Sequence, residues 1–185
     1  MLYKEKLLMN KKDVFCLLAY LLQYPQADWI DPEELRREAE NWEEGDTRSR
    51  LNLFVDYLQS APLNVLQENF VETFDFSKKT TLYLLYPQYG EEPKRVEVLQ
   101  ELIQEYQKAG LLIGQELPDY LPLVLEALSN VAIDRGRIIL KPVYAGLQYL
   151  HDQLVKMNSP YALLLEVCLS SIHSLFGEIG GVTAT

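Results

Sequence analysis

Four carboxylates in this 185-residue chain form two matched pairs, Glu72 with Asp75 and Glu116 with Asp119, each three residues apart. That spacing is close to one helical turn, so each pair can share a helix face or a helix-start turn. Paired carboxylates can perform general acid–base work, which also requires a pocket and a reacting group within hydrogen-bond reach. Helix capping and a solvated acidic surface require nothing further, so the structural role is favoured for both pairs. Asp119 in particular reads as a cap that complements a helix dipole. The same four groups offer oxygen-only ligation suited to magnesium or manganese, which makes a metal-dependent helical hydrolase with an acidic cleft the enzymatic alternative. Tyr83, Tyr86, Tyr89 and Tyr120 accompany these acids in the breaks between predicted helices. A tyrosine offers apolar area, a hydroxyl and a face for guanidinium, while a carboxylate takes arginine in bidentate geometry. The mixture therefore also suits a cationic, amphipathic peptide, with tyrosines scattered over core edges as the plain alternative.

Other catalytic signatures are absent. The chain has no GxGxxG, GxxxxGK, HExxH or GxSxG, so phosphate cradling and the common nucleophile and zinc arrangements are unsupported. His151 and His173 fall on separate predicted helices and read as ordinary helix residues. Cys16 and Cys168 lie far apart in apolar helical patterns without CxxC or zinc spacing, and read as reduced core thiols. The expectation is no catalytic residue, no metal ligand, no bound cofactor and a cytoplasmic location.

Composition narrows the partners. The formal charge is −10, so nucleic acid and anionic lipid are repelled and a cationic partner is the electrostatic complement. Residues 28–46 hold nine acidic groups against Arg36 and Arg37, a local balance of −7. This is a solvated face able to steer a basic partner. The apolar run Val14–Leu22 follows Lys11 and Lys12 but lacks a small-x-small cleavage site and is too short to span a bilayer. Neither a signal peptide nor membrane insertion is expected.

The elements that must position these groups are helical throughout. With 48% apolar residues, the chain can bury one core as a single all-α, multi-helix domain over residues 1–177, with 178–185 as a disordered tail. Asn10 caps a first helix running to about Tyr24. Asp31-Pro32-Glu33-Glu34 opens a second, which Gly45 closes, and Asp46 caps a third. Pro62 opens a fourth, ending before Asp75 and Ser77. Lys78 to Tyr86 is ambiguous, because Thr80, Thr81 and Tyr83 favour strand while the neighbours favour helix; it is read as helix. Pro93 to Ala109 has Val96, Leu99, Leu102, Ile103 and Tyr106 at helical spacing, with Gly110 beyond the end. Tyr120 to Asn130 forms the next helix. Asp134 to Met157 is either one kinked helix or two meeting at Pro142, and Ser159-Pro160 starts the last.

Two stretches carry a further signal: Glu72-Thr-Phe-Asp-Phe-Ser-Lys-Lys-Thr-Thr-Leu-Tyr83 and Glu116-Leu-Pro-Asp-Tyr-Leu-Pro-Leu123. In this order, on an acidic helical chain, they resemble the NarJ subfamily of molybdoenzyme assembly chaperones, within the wider TorD and DmsD group. In that group a Glu-Pro-x-Asp-His-like motif enters a helix beside a leader-peptide groove. Glu116, Pro118, Asp119 and Tyr120 look like its counterpart, with Leu117 shifting the proline by one position and tyrosine replacing histidine. Tyr120 cannot supply imidazole chemistry, but it can still stack and hydrogen-bond. The resemblance implies a TorD/DmsD-like helical fold and a chaperone that binds the basic N-terminal peptide of the nitrate reductase catalytic subunit. It implies that the apoenzyme is thereby held competent for insertion of the molybdenum cofactor. The expected peptide contacts are Glu72, Asp75, Tyr83, Tyr86, Glu116, Leu117, Pro118, Asp119 and Tyr120, on a monomer or helix-swapped dimer. A helical adaptor in another assembly is the non-enzymatic alternative.

Overall fold

The computed structural model describes residues 13–27, 29, 31–40 and 45–179. Within them the fold is all-α, with nine helices: α1 (Asp13–Leu21), α2 (Pro32–Glu40), α3 (Asp46–Gln59), α4 (Leu63–Phe74), α5 (Tyr86–Tyr89), α6 (Pro93–Lys108), α7 (Leu121–Asn130), α8 (Ile133–Lys156) and α9 (Tyr161–Phe176). No helix among the described residues is long and apolar enough to cross a membrane.

Helix α1 is apolar nearly all round, and Val14, Phe15, Leu17, Leu18, Ala19 and Leu21 are all buried. A helix of that character belongs inside the bundle. It packs between α7 and α9, while α9 also packs on α3 and α8. Helix α2 shows the opposite pattern, burying only Leu35 and Ala39, and lies on α3 at the surface. Its start follows the capping expectation: Asp31 Oδ1 accepts the Glu33 N–H at 2.9 Å, and Pro32 takes the first helical position. Arg36 ties it to Asp56 of α3 at 2.7 Å. Helix α4 inserts Phe70 and Phe74 beside Tyr161 and Phe54, with ring centroids 4.9 to 5.8 Å apart. These are the tilted and edge-on contacts that aromatic rings prefer.

Several boundaries differ from the expectations. The proposed Asn10 cap lies outside the described residues, and α1 ends at Leu21 instead of near Tyr24. The expected closure of α2 falls at residues 41–44, outside the described residues, and Gly45 takes the N-cap position of α3. Asp46 is thus the first helical residue there, pairing with Arg50 one turn on at 3.0 Å. Val96 is exposed, because α6 turns Val98, Leu102 and Tyr106 inward. Helix α8 runs unbroken through Pro142. Ile179 is buried, and the rest of the expected tail, residues 180–185, lies outside the described residues.

The segment expected to be helical from Lys78 to Tyr86 is not helical until Tyr86, where α5 begins. Residues 76–85 form turns and bends, and Tyr83 makes an isolated antiparallel bridge with Tyr120. Thr80 is fully buried and its hydroxyl donates to the Thr73 carbonyl, anchoring the segment to the end of α4. The β-favouring residues prevailed because the loop before α7 supplies backbone partners, which a local reading of the segment cannot reveal.

Candidate functional site: an acid and tyrosine cluster beside a cleft

Two non-helical segments, 82–85 and 116–120, lie side by side and, with the first residues of α5 and α7, create the site. Leu84 N–H donates to the Asp119 carbonyl at 3.0 Å, and Leu121 N–H donates to the Leu82 carbonyl at 2.8 Å. That pairing aligns Tyr83 with Tyr120, whose ring centroids stand 5.3 Å apart. The Tyr83 hydroxyl donates to Glu116 Oε2 at 2.8 Å.

Behind this surface the loop is fastened from three sides. The Asp119 side chain is 0% exposed, and its Oδ2 accepts both the Leu85 N–H and the Arg95 guanidinium at 3.1 Å. Arg95, from the first turn of α6, is only 11% exposed and lies over the Tyr86 ring, 5.2 Å from its centroid. The buried Tyr106 hydroxyl, also from α6, donates to the Pro118 carbonyl at 2.8 Å. From the third side α8 presses Gly146 against the backbone of Leu84; a Cβ there would lie 1.8 Å from the Leu84 oxygen.

Sequence-predicted contacts therefore divide into two sets. Tyr83, Glu116 and Tyr120 come together at the surface, with Leu117 exposed beside them. Asp75 lies near enough for its charge to act on the Tyr120 phenol, and Glu72 is exposed one turn earlier on α4. Asp119 and Pro118 are buried and hold the loop from behind, so a ligand cannot reach them in this arrangement. Tyr86 already has Arg95 and Lys78 against its ring, the latter at 5.6 Å. The four carboxylates do not form a cation site: no group of three or more His, Cys, Asp or Glu among the described residues is placed to hold a metal ion.

On the other side of Tyr120 lies a cleft of about 470 Å³. Its walls come from Tyr24 after α1, Leu112 in the loop after α6, and Pro122 and Leu123 at the start of α7, with Glu116 and Glu126 among its polar lining. Sequence reading missed this cleft and the roles of Arg95, Tyr106 and Gly146. One signal was available: Leu111, Leu112 and Ile113 form an apolar run between Gly110 and Gly114, and Leu112 is 95% exposed.

Electrostatics keep both surface phenols protonated. Burial, then the bond to the Glu116 carboxylate, pushes Tyr83 up to about 12. Burial and the Glu116 charge push Tyr120 to about 12 as well. Both therefore remain hydrogen-bond donors across the physiological range. An unfolded tyrosine ionises near 10, so between about 10 and 12 the unfolded chain sheds protons that the folded chain keeps. Stability present below pH 10 should consequently decline as pH rises through that window. Denaturant midpoints measured from pH 8 to 12 should be flat at first and fall beyond pH 10. Tyr83→Phe with Tyr120→Phe should reduce the fall, and an unchanged alkaline slope would exclude these phenols as its source.

Comparison with known proteins agrees with this architecture. Residues 43–163 match the family described as nitrate reductase delta subunit. The chain is 33% identical to the probable nitrate reductase molybdenum cofactor assembly chaperone NarJ of Bacillus subtilis, covering 90% of this chain and 91% of the relative. It is 31% identical to the nitrate reductase molybdenum cofactor assembly chaperone NarJ of Escherichia coli K12, covering 83% and 66% respectively. The probable chaperone NarW of the same organism is 33% identical, over 85% and 69%. With a family match across most of the helical core and relatives aligned over nearly its whole length, this chain belongs to the nitrate reductase delta subunit family.

Proposed function

We infer that this chain is a cytoplasmic assembly chaperone for respiratory nitrate reductase. It works by binding the N-terminal segment of the catalytic subunit, without catalysing a reaction, and keeps the apoenzyme competent to receive the molybdenum cofactor. The observation that carries the binding mode is the cluster of Tyr83, Glu116 and Tyr120 at the edge of a partly apolar cleft. An amphipathic cationic helix would lay its apolar side chains against Tyr24, Leu112 and Leu123 and present a cation to Glu116. The net charge of −10 favours that encounter. Segments that order on binding spend part of their interaction energy on that ordering. Affinity between micromolar and nanomolar, about −8 to −12 kcal/mol, would let the partner be held and then released.

Calorimetric titration with the N-terminal peptide of the nitrate reductase catalytic subunit tests this reading. A scrambled peptide of equal charge should bind much more weakly. A hydrogen bond to a charged group contributes about 1.5 to 3 kcal/mol, so Glu116→Gln should weaken the native peptide about tenfold or more. Tyr120→Ala should act in the same direction by removing ring area. Equal binding of the scrambled peptide, or indifference to both substitutions, would refute a leader-reading site here.

A further inference from the structure

We propose that the outward face of α8 is a docking surface for a second copy of this chain, with α8 lying antiparallel on α8 in a weak, symmetric dimer. This goes beyond the peptide-binding reading above and does not depend on it.

Residue pattern makes the first argument. The inward face of α8 is fully used, with Ile139, Val143, Leu147, Leu150 and Leu154 buried. On the opposite side Ile138, Lys141, Ala145, Gln148, Asp152 and Val155 are all exposed. They recur at alternating steps of three and four, the seven-residue repeat by which two helices form a seam. Ile138 and Val155 stand 49% and 46% exposed, near the two ends of a stripe about 25 Å long at the helical rise. The small Ala145 lies near its middle, where two packed helix axes must approach to about 8 to 10 Å. Tyr149 is exposed on the flank of the same stripe.

Charge complementarity is the second argument, and it names the occupant. A two-fold contact requires a patch that complements itself. With the axis between Gly146 and Leu147, antiparallel pairing sets Ile138 against Val155 of the second copy, Lys141 against its Asp152, and Ala145 against its Gln148. Symmetry repeats each of these meetings. Lys141 is exposed with no carboxylate paired to it among the described residues. Asp152 meets His151 Nδ1 of its own helix at 3.3 Å and remains largely exposed. A parallel pairing in register would set Lys141 on Lys141 and Asp152 on Asp152, which like-charge repulsion disfavours. The charges thus select a second copy, in one orientation.

Position and strength follow. No residue of α8 lines the cleft beside Tyr120, so the dimer leaves that cleft open. Two bodies of net charge −10 repel at long range, but physiological salt screens beyond about 8 Å. A contact made by one helix from each copy falls below about 1,200 Å², the size of transient interfaces, so a Kd of about 10 to 100 μM is expected.

Sedimentation equilibrium of the full chain at physiological salt, over concentrations that bracket this range, is the test. The mass should rise from that of one chain towards that of two and return on dilution. Ala145→Glu should hold it at one chain, and because position 145 is exposed the thermal melt should not change. Lys141→Glu and Asp152→Lys should each weaken the dimer about tenfold by setting like charges face to face. Combined in one chain, these two reversals should restore it. A mass of one chain at every concentration, or a combined reversal no better than the single ones, would overturn the proposal. A dimer that survives both dilution and Ala145→Glu would overturn it in favour of helix exchange. A chain that never dimerises but loses a co-purifying nitrate reductase subunit on Ala145→Glu would give the face to that partner instead.

Discussion

Gly146→Ala is expected to lower stability by about 3 kcal/mol or more, within the upper range for overpacking a well-filled interior. Helix propensity alone predicts the opposite, since alanine is favoured over glycine by about 1 kcal/mol inside a helix. The contact decides the sign. A Cβ at position 146 would stand 1.8 Å from the Leu84 oxygen and 2.7 Å from its carbonyl carbon, and these are backbone atoms that no rotamer change can move aside. Either α8 shifts or the 82–86 segment leaves it, and Leu82, Leu84 and Leu85 are all buried. For a chain of this size the melting temperature should fall by about 6 to 12 °C. Peptide binding should weaken as well, because Tyr83 rides on that segment. Gly136→Ala makes a useful contrast: its nearest obstruction is the Phe176 ring edge at 2.3 Å, a side chain that can rotate, so its cost should be smaller. A melting temperature for Gly146→Ala equal to or above that of the natural chain would show that α8 and the loop are not in this contact.

Asp119→Ala should cost about 3 to 5 kcal/mol, the range for removing one partner of a buried ion pair. It would leave the Arg95 guanidinium and the Leu85 N–H facing an apolar void where Oδ2 had accepted both. Asp119→Asn should be milder. Oδ2 carries both of these bonds and Oδ1 has no donor among the described residues, so an asparagine oxygen can take the Oδ2 place with its amide at Oδ1. Arg95→Ala should be damaging too, through loss of the pair and of packing on Tyr86. The double substitution should cost clearly less than the sum of the single ones, because neither charge is then stranded. Urea unfolding of all four chains gives the coupling. Strict additivity, or a loss under about 1 kcal/mol for Asp119→Ala, would mean that this pair does not fasten the loop.

Much of the architecture was legible without coordinates because helix signals are local. The period of the apolar positions, Asp31 with Pro32, and Gly110 beyond α6 all act within a turn or two of where they stand. The expectations failed where a distant partner outweighed the local pattern. Lys78 to Tyr86 reads as helix beside its neighbours, yet its backbone groups bond to residues 119 and 121. Val96 shares the apolar spacing of α6, but the helix presents Val98 to the core instead. At the site, residue types identified the acids and tyrosines of interest but not their burial. Glu116 and Asp119 stand three positions apart and have opposite fates, Asp119 sealed under Arg95 and Glu116 open to solvent.

By itself, then, the sequence determined an all-α chain, acidic overall, with two motif stretches that carry its family resemblance. These properties follow from composition and short-range periodicity, which need no knowledge of what lies far along the chain. Only the tertiary structure decided that the two motifs pair backbone to backbone, that Arg95, Tyr106 and Gly146 hold them in place, and that a cleft opens beside Tyr120. Those outcomes depend on contacts between residues from 12 to more than 60 positions apart, where chain entropy favours no particular meeting until the whole core has packed.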